Sequence, residues 1–121
     1  MREERLLSVG IDIGTSTTQC VFSAITLSNT ASAFSVPRIQ ITEKRVLYRA
    51  PLRLTPLTSP ETIDAQAVER IVSEDYAAAG IRPDQIRLGA VIITGETARK
   101  QNARAVAQAL SRLAGDFVVA T

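Results

Sequence analysis

Apolar runs and one hydroxyl-rich turn alternate at the start of the chain. Residues 6–12 form a short apolar run that ends in an acidic residue, which predicts a central strand. Residues 18–25 are β-branched and aromatic with rough alternation, so they predict a second strand. Gly14 and the hydroxyl residues after it have the composition of a tight turn. The pattern therefore predicts a β-hairpin.

A third strand is predicted over residues 33–42, where apolar residues recur. Pro37 would confine this strand to a sheet edge or mark a bulge, because proline has no N–H to give to the sheet. Residues 46–49 predict a fourth, short extended piece. The prolines between residues 50 and 60 then predict a loop that leads into a helix.

Two segments carry apolar residues at the three-to-four spacing of an amphipathic helix. The first covers residues 61–79, with Ser59 predicted as its N-cap, Pro60 at its first helical position and Gly80 at its C-terminal cap. The second covers about residues 97–113. Three polar residues are predicted to lie on the surface of this second helix: Lys100, Asn102 and Arg104.

The most continuous apolar run covers residues 88–95 and predicts a strand buried on both faces, as in parallel sheets. Residues 116–121 begin another apolar strand. The predicted order is β-β-β-α-β-α-β, in which early antiparallel strands are followed by β-α-β crossovers. This order predicts an α/β fold with a mixed sheet and helices on its faces. Because the chain stops on a strand, we expect residues 1–121 to be a truncated piece of a longer protein.

The composition is typical of one compact domain. The chain has 121 residues, of which 45% are hydrophobic and 21% are charged. No apolar run approaches the roughly 20 residues that cross a bilayer, and the N-terminus lacks the apolar core of a signal peptide. A cytoplasmic location is therefore expected. The chain has no histidine, which excludes histidine-based general-base chemistry and histidine-containing metal sites within it.

Two features each have a structural and a functional interpretation. Cys20, the single cysteine, is either a reactive thiol or a small buried hydrophobe, and its strand-like surroundings favour burial. The net charge is only +2, but residues 38–53 hold five basic residues, including Arg53, against one acidic residue. A nucleic-acid site would need aromatic side chains among those charges, and only Tyr48 is present. A solvated strand face or a protein-docking edge is favoured instead.

The turn of the first hairpin carries the candidate chemistry. Gly14 lets the backbone approach a ligand closely, and the turn supplies amides and hydroxyls for phosphate oxygens. Asp12, at the end of the first strand, would help to hold hydrated Mg²⁺, which takes few protein carboxylates. The structural alternative is a plain turn with an incidental aspartate. The predicted phosphate ligands are Asp12, Gly14, Thr15, Ser16, Thr17 and Thr18.

Thr94 and Glu96 follow the long apolar run, at the edge where an open α/β sheet presents side chains to a ligand. In a functional interpretation they lie near the bound phosphate or the water that attacks it. In a structural interpretation Glu96 or Thr97 merely begins the next helix. Both interpretations stay open, and no residue is assigned as catalytic.

The hairpin in this strand order resembles that of the hexokinase, actin and heat-shock-chaperone ATPase superfamily. That resemblance implies a ribonuclease H-like (actin-like ATPase) half-domain, with an aspartate that organises the metal and with the second ATPase half absent. A closer resemblance covers nearly the whole chain and is to the N-terminal region of the EutA family, the reactivating factor for ethanolamine ammonia-lyase. It is carried by residues 6–15, 17–19, 36–38, 51, 55–56, 78–81, 92–96, 102–104, 109–111 and 115–121.

The closer resemblance implies a chaperone-like reactivase that requires ATP and Mg²⁺. Such a protein would bind ethanolamine ammonia-lyase and use ATP to release damaged adenosylcobalamin, whereas the fragment alone would be inactive. Two alternatives stay open, a small-molecule kinase of the same superfamily and a non-catalytic protein-docking module. The implied partner is the lyase, with neither nucleic acid nor membrane. A homo-oligomer and association with a bacterial microcompartment also stay open.

Overall fold

The computed structural model describes residues 2–29, 39–94, 102–110 and 116–120. The described strands are β1 (Arg2–Ile13), β2 (Thr17–Asn29), β3 (Ile39–Arg49), β4 (Arg53–Leu54), β5 (Leu57–Ser59), β6 (Thr62–Ile63), β7 (Ile86–Ile93) and β8 (Asp116–Ala120). The described helices are α1 (Ala65–Ala79), a 3₁₀ turn (Pro83–Gln85) and α2 (Ala103–Leu110). The predicted elements occur in the predicted order, and three short strands are added between β3 and α1.

The main sheet has the strand order β3-β2-β1-β7-β8, and β4 pairs with the start of β2. Strand β2 is antiparallel to both β1 and β3, whereas β7 and β8 run parallel to β1. The chain reaches β7 through α1 and reaches β8 through α2, as in β-α-β crossovers. The predicted mixed sheet is therefore confirmed.

One face of the sheet packs against both helices. Burying each large side chain there stabilises the fold by about 1.5–3 kcal/mol. Phe22 meets Tyr76 of α1 edge to face, with ring centroids 5.0 Å apart. The fully buried residues of this core from β1, β2, β7, α1 and α2 include Ile11, Ile13, Cys20, Phe22, Val91, Ile93, Val68, Val72, Val106 and Leu110.

Among the described residues, the opposite face of the sheet has no helix on it. An open groove of about 300 Å³ runs over this face, and its lining includes Gly10, Val21 and Ala90. We call this helix-free side of the sheet the open face. The prediction that the β7 run is buried on both faces is wrong, because Ile92 is 41% exposed while Val91 and Ile93 are buried. Covering one face only gives the strand an alternating exposure.

The first helix begins later than predicted. Residues 57–63 form the β5–β6 hairpin, with Pro60 in its turn, so Ser59 ends a strand and is not an N-cap. Asp64 is the N-cap instead, because its carboxylate accepts a hydrogen bond of 3.1 Å from the Ala67 N–H. The prediction for Gly80 is confirmed, since it caps the C-terminus of α1 with a φ of 71°.

The third strand is one continuous element at the sheet edge, rather than two pieces. The edge position agrees with the prediction, although Pro37 itself lies outside the described residues. The predicted ends of the second helix, at residues 97 and 113, and Lys100 also lie outside them. Arg104 is exposed, as predicted. Asn102 has a different place, because its side chain makes two hydrogen bonds, of 2.9 and 2.8 Å, with the backbone of Ile63.

Candidate phosphate-binding hairpin

The turn between β1 and β2 lies at the carboxyl end of β1. The Gly14 N–H donates to the Thr17 carbonyl at 2.9 Å, which closes the turn. The Thr94 N–H, just after β7, donates to the Ile13 carbonyl at 3.1 Å. Because β1 and β7 are parallel, their carboxyl ends share one edge of the sheet, which is where open α/β sheets bind ligands.

Gly14 lies where a larger side chain would be crowded by the turn. A Cβ added to it would lie 3.2 Å from the Thr17 carbonyl oxygen and 3.6 Å from the Thr94 hydroxyl oxygen. Among the described residues a positive φ occurs at Gly80 alone, so unusual backbone geometry is not the reason for this glycine. The crowded side of Gly14 thus faces Thr17 and Thr94, which places Thr94 beside the turn.

Four of the predicted residues lie at the surface of this sheet edge. Asp12 is exposed on the open face, because it alternates with Ile11 and Ile13 in the core. Thr15 and Ser16 are exposed in the turn, and Thr17 is half-buried at the start of β2. An acidic side chain and several hydroxyl groups are thus found at this end of the sheet. Glu96 lies outside the described residues.

Thr18 occupies a different environment, since it is completely buried. Its hydroxyl oxygen lies 2.9 Å from that of Thr55, whose own hydroxyl donates to the Gly14 carbonyl at 2.9 Å. A hydroxyl has one proton, so Thr18 must be the donor to Thr55. Direct contact between Thr18 and a phosphate would require this side chain to become exposed.

Residues 53–55, which we call the strap, were missed as part of the site. Their backbone pairs with Thr17 and Thr18, and the Thr55 N–H donates to the Ser16 carbonyl at 2.9 Å. A strand of two residues has no periodicity to detect. The available sequence signal is a single charged residue, Arg53, that stands between Leu52 and Leu54. Both leucines prove to be exposed, at 63% and 79%.

Arg53 joins the strap to α1. Its Nη2 lies 2.9 Å from the carboxylate of Asp75, and its Nη1 donates to the Ile71 carbonyl at 3.2 Å. Asp75 is 1% exposed, whereas the Arg53 side chain is 28% exposed. The prediction that Arg53 belongs to a solvated basic face is therefore wrong, because the buried carboxylate recruits it as a counter-ion.

Cys20 is fully buried beneath the strap, which confirms its interpretation as a small hydrophobe. Burial raises the pKa of its thiol above the usual range, and the negative charge of Asp75 raises it further. The thiolate form needed for nucleophilic chemistry is thus disfavoured.

The edge strand β3 carries the exposed basic residues Lys44, Arg45 and Arg49, of which the adjacent Lys44 and Arg45 point to opposite faces of the sheet. Tyr48 packs towards Phe22, with ring centroids 6.3 Å apart, so it is engaged in the core rather than presented for base stacking. This arrangement favours the solvated or protein-docking interpretation of the edge over a nucleic-acid site.

The described part of the chain contains no group of three or more Cys, Asp or Glu side chains that would hold a metal ion. One exposed carboxylate, Asp12, would suit a hydrated Mg²⁺, because Mg²⁺ keeps several waters and needs few carboxylates. No described helix is both long and apolar enough to span a membrane.

The chain matches the family model for the ethanolamine utilisation protein EutA over residues 4–121. It is 43% identical to the ethanolamine ammonia-lyase reactivase EutA of Escherichia coli (strain K12), and 42% identical to that of Salmonella typhimurium (strain LT2). Both alignments cover 100% of this chain and 26% of the relative, so the chain spans about a quarter of the length of these curated relatives.

A solved structure of the Aquifex aeolicus PPX-GPPA enzyme matches with a TM-score of 0.59 at 12% identity. The match covers 98% of this chain and 36% of that one. At this identity the likeness concerns the fold, and it supports the predicted ribonuclease H-like (actin-like ATPase) half-domain. The family model covers residues 4–121, which is almost the full chain, and on this match the chain belongs to the EutA family.

Proposed function

We propose that the chain is the N-terminal, phosphate-binding part of a reactivase of ethanolamine ammonia-lyase that depends on ATP and Mg²⁺. The observation that carries the proposal is the exposed Asp12 and the turn hydroxyls at the carboxyl end of the parallel β1–β7 pair. The identity to relatives named as reactivases of this lyase supports the choice of partner. The whole protein would bind inactive lyase in the cytoplasm and use ATP to release damaged adenosylcobalamin.

Each part of the hairpin has a distinct role in this proposal. The backbone amides of the turn and the hydroxyls of Thr15, Ser16 and Thr17 donate to phosphate oxygens. Thr94, whose hydroxyl lies beside Gly14, is a further donor. Asp12 holds Mg²⁺ through water, and the bound ion would neutralise charge on the phosphates. Thr18 supports the turn from inside.

The hairpin supplies one wall of a nucleotide cleft, and we assign the other wall to a second ATPase half. Nucleotide bound between two such halves stabilises a closed form, and it shifts the equilibrium only by its differential affinity for the two forms. Closure would change the affinity for the lyase. The 121-residue chain by itself is expected not to hydrolyse ATP, because half a cleft leaves the nucleotide solvated; turnover by this chain would contradict the proposal.

The test compares Asp12→Asn with Asp84→Asn in full-length protein. Both variants remove one exposed carboxylate, but Asp84 precedes β7 and so lies at the opposite end of the sheet from the turn. Calorimetry measures binding of ATP with and without Mg²⁺, and a second assay follows ATP-dependent recovery of lyase inactivated by cyanocobalamin. Asp12→Asn should lose recovery and the Mg²⁺ dependence of binding, whereas Asp84→Asn should behave as wild type.

Three results would contradict the proposal. Recovery by Asp12→Asn at the wild-type rate would remove Asp12 from the metal site. Phosphorylation of a small molecule without lyase recovery would favour a kinase. Binding of the lyase by full-length protein that never hydrolyses ATP would favour a non-catalytic docking module.

A further inference from the structure

Thr55 makes three hydrogen bonds to the hairpin turn from outside it. Its hydroxyl donates to the Gly14 carbonyl, and its N–H donates to the Ser16 carbonyl, both at 2.9 Å. Its hydroxyl oxygen also accepts from the buried Thr18 hydroxyl. One residue of the strap therefore binds two of the carbonyl groups in the turn.

These bonds fix the orientation of two peptide groups. All described peptide bonds are trans, and in a planar trans peptide the N–H points opposite to the C=O. With the Gly14 and Ser16 carbonyls directed at the strap, the N–H groups of Thr15 and Thr17 point away from it. A carbonyl oxygen repels a phosphate, whereas an N–H binds it. The direction of these two peptide groups thus decides whether the turn attracts an anion.

The strap needs support of its own, because a strand of two residues is held by few ladder bonds. Arg53 provides that support through its ion pair with the buried Asp75 and its bond to the Ile71 carbonyl. A continuous set of polar contacts consequently runs from α1 through the strap to the turn.

We propose that Thr55 is a positioning residue for the phosphate hairpin, and that Arg53 anchors it to α1. The proposal rests on the proposed function, since it concerns the same phosphate site. Thr55 touches no nucleotide in this scheme. It acts by holding the turn carbonyls away from the phosphates and so presenting the turn amides to them.

The experiment uses full-length protein with Thr55→Val, Thr55→Ser and the control Thr58→Val. Valine keeps the shape of threonine but removes both hydroxyl bonds, and serine keeps them. Thr58 is exposed, and its hydroxyl makes a long bond of 3.4 Å to the Thr62 carbonyl, away from the turn. Calorimetry measures affinity for a non-hydrolysable ATP analogue with Mg²⁺, and hydrogen exchange reports opening of residues 14–18.

Thr55→Val should weaken binding of the analogue by about tenfold and speed exchange of the turn amides, because two hydrogen bonds that order the turn are lost. Thr55→Ser should stay within about threefold of wild type, and Thr58→Val should match wild type. Thermal unfolding of all variants identifies any general loss of stability.

Wild-type affinity in Thr55→Val, even with a lower melting temperature, would overturn the proposal and leave Thr55 a purely structural role. Equal weakening in Thr55→Ser and Thr55→Val would also overturn it, because the hydroxyl would not be the cause. Absence of analogue binding by wild-type protein would instead contradict the proposed function. In that case, hydrogen exchange of residues 14–18 still shows whether Thr55→Val opens the turn more than Thr58→Val does.

Discussion

Replacing Arg53 by methionine should destabilise the strap and α1 far more than replacing its partner Asp75 by leucine. Asp75 is 1% exposed, so losing Arg53 leaves a carboxylate without its counter-ion in the interior. Losing Asp75 leaves a guanidinium that is 28% exposed and lies 3.7 Å from Glu74. The two halves of one ion pair therefore have unequal costs of removal.

The expected loss of stability follows from how exposed the Arg53 and Asp75 side chains are. Removing one partner of a buried pair costs about 3–5 kcal/mol, and the partial exposure of Arg53 puts this case at the lower end, about 3 kcal/mol. Asp75→Leu should cost less than about 1 kcal/mol, since the remaining cation reaches water. The double variant should lie within about 1 kcal/mol of wild type, because apolar residues of similar volume replace both charges.

Hydrogen exchange of full-length protein, followed by mass spectrometry on peptides from the strap and α1, measures the local opening. A change of about 3 kcal/mol corresponds to roughly a hundredfold increase in the open population. Arg82→Met is the matched control, because both partners of the Arg82–Asp84 pair are 74% exposed and such pairs contribute little. Equal exchange in Arg53→Met and Asp75→Leu, or in Arg53→Met and Arg82→Met, would refute this reasoning.

Three further predictions concern single residues. Gly14→Ala should weaken nucleotide binding by full-length protein, because the added Cβ would crowd the turn. The control Gly10→Ala should bind nucleotide as wild type does, because its Cβ meets nothing within 4 Å. Equal nucleotide affinities in the two variants would contradict this prediction. Burial raises the pKa of Cys20 above its unfolded value of 9.0, so only the unfolded state loses this proton as the pH rises past that value. The free energy of unfolding should then fall by about 1.4 kcal/mol per pH unit, and urea unfolding of Cys20→Ala should lack that part of the slope. Asn102→Ala should cost about 1–3 kcal/mol in thermal unfolding because it leaves the Ile63 N–H and carbonyl without their partner; no loss would show that water replaces the amide.

The order of the elements along the chain and the hairpin could be predicted because both depend on local pattern. The apolar runs in β1, β2 and β7 are long enough to be recognised as strands, and a hydroxyl-rich turn after an aspartate is visible by itself. The start of α1 could not be placed in this way. Ser59 and Asp64 are both good caps, and the choice between them depends on whether Ile63 is buried in a helix or in the β5–β6 hairpin.

The strap and the exposure of β7 depend on contacts between distant parts of the chain. Arg53 and Asp75 meet only after α1 has packed on the sheet, so the sequence presented Arg53 as one more residue of a basic stretch. The β7 run is apolar throughout, but whether Ile92 is buried is decided by what covers its face of the sheet. Neither fact is encoded in a local period.

Side chains of β1 point alternately to the two faces of the sheet, so the residue proposed to bind the metal is separate from the residues that form the core. Ile11 and Ile13 point into the core, whereas Asp12 between them points to the open face and touches none of that core. Asp12→Asn should therefore change metal-dependent binding without changing unfolding, since no buried contact is altered. Thr55→Val acts on the same turn from its buried side, so it should change binding and local opening together. Loss of binding in both variants, with faster exchange of the turn in Thr55→Val alone, would distinguish a residue that contacts the ligand site from one that positions it.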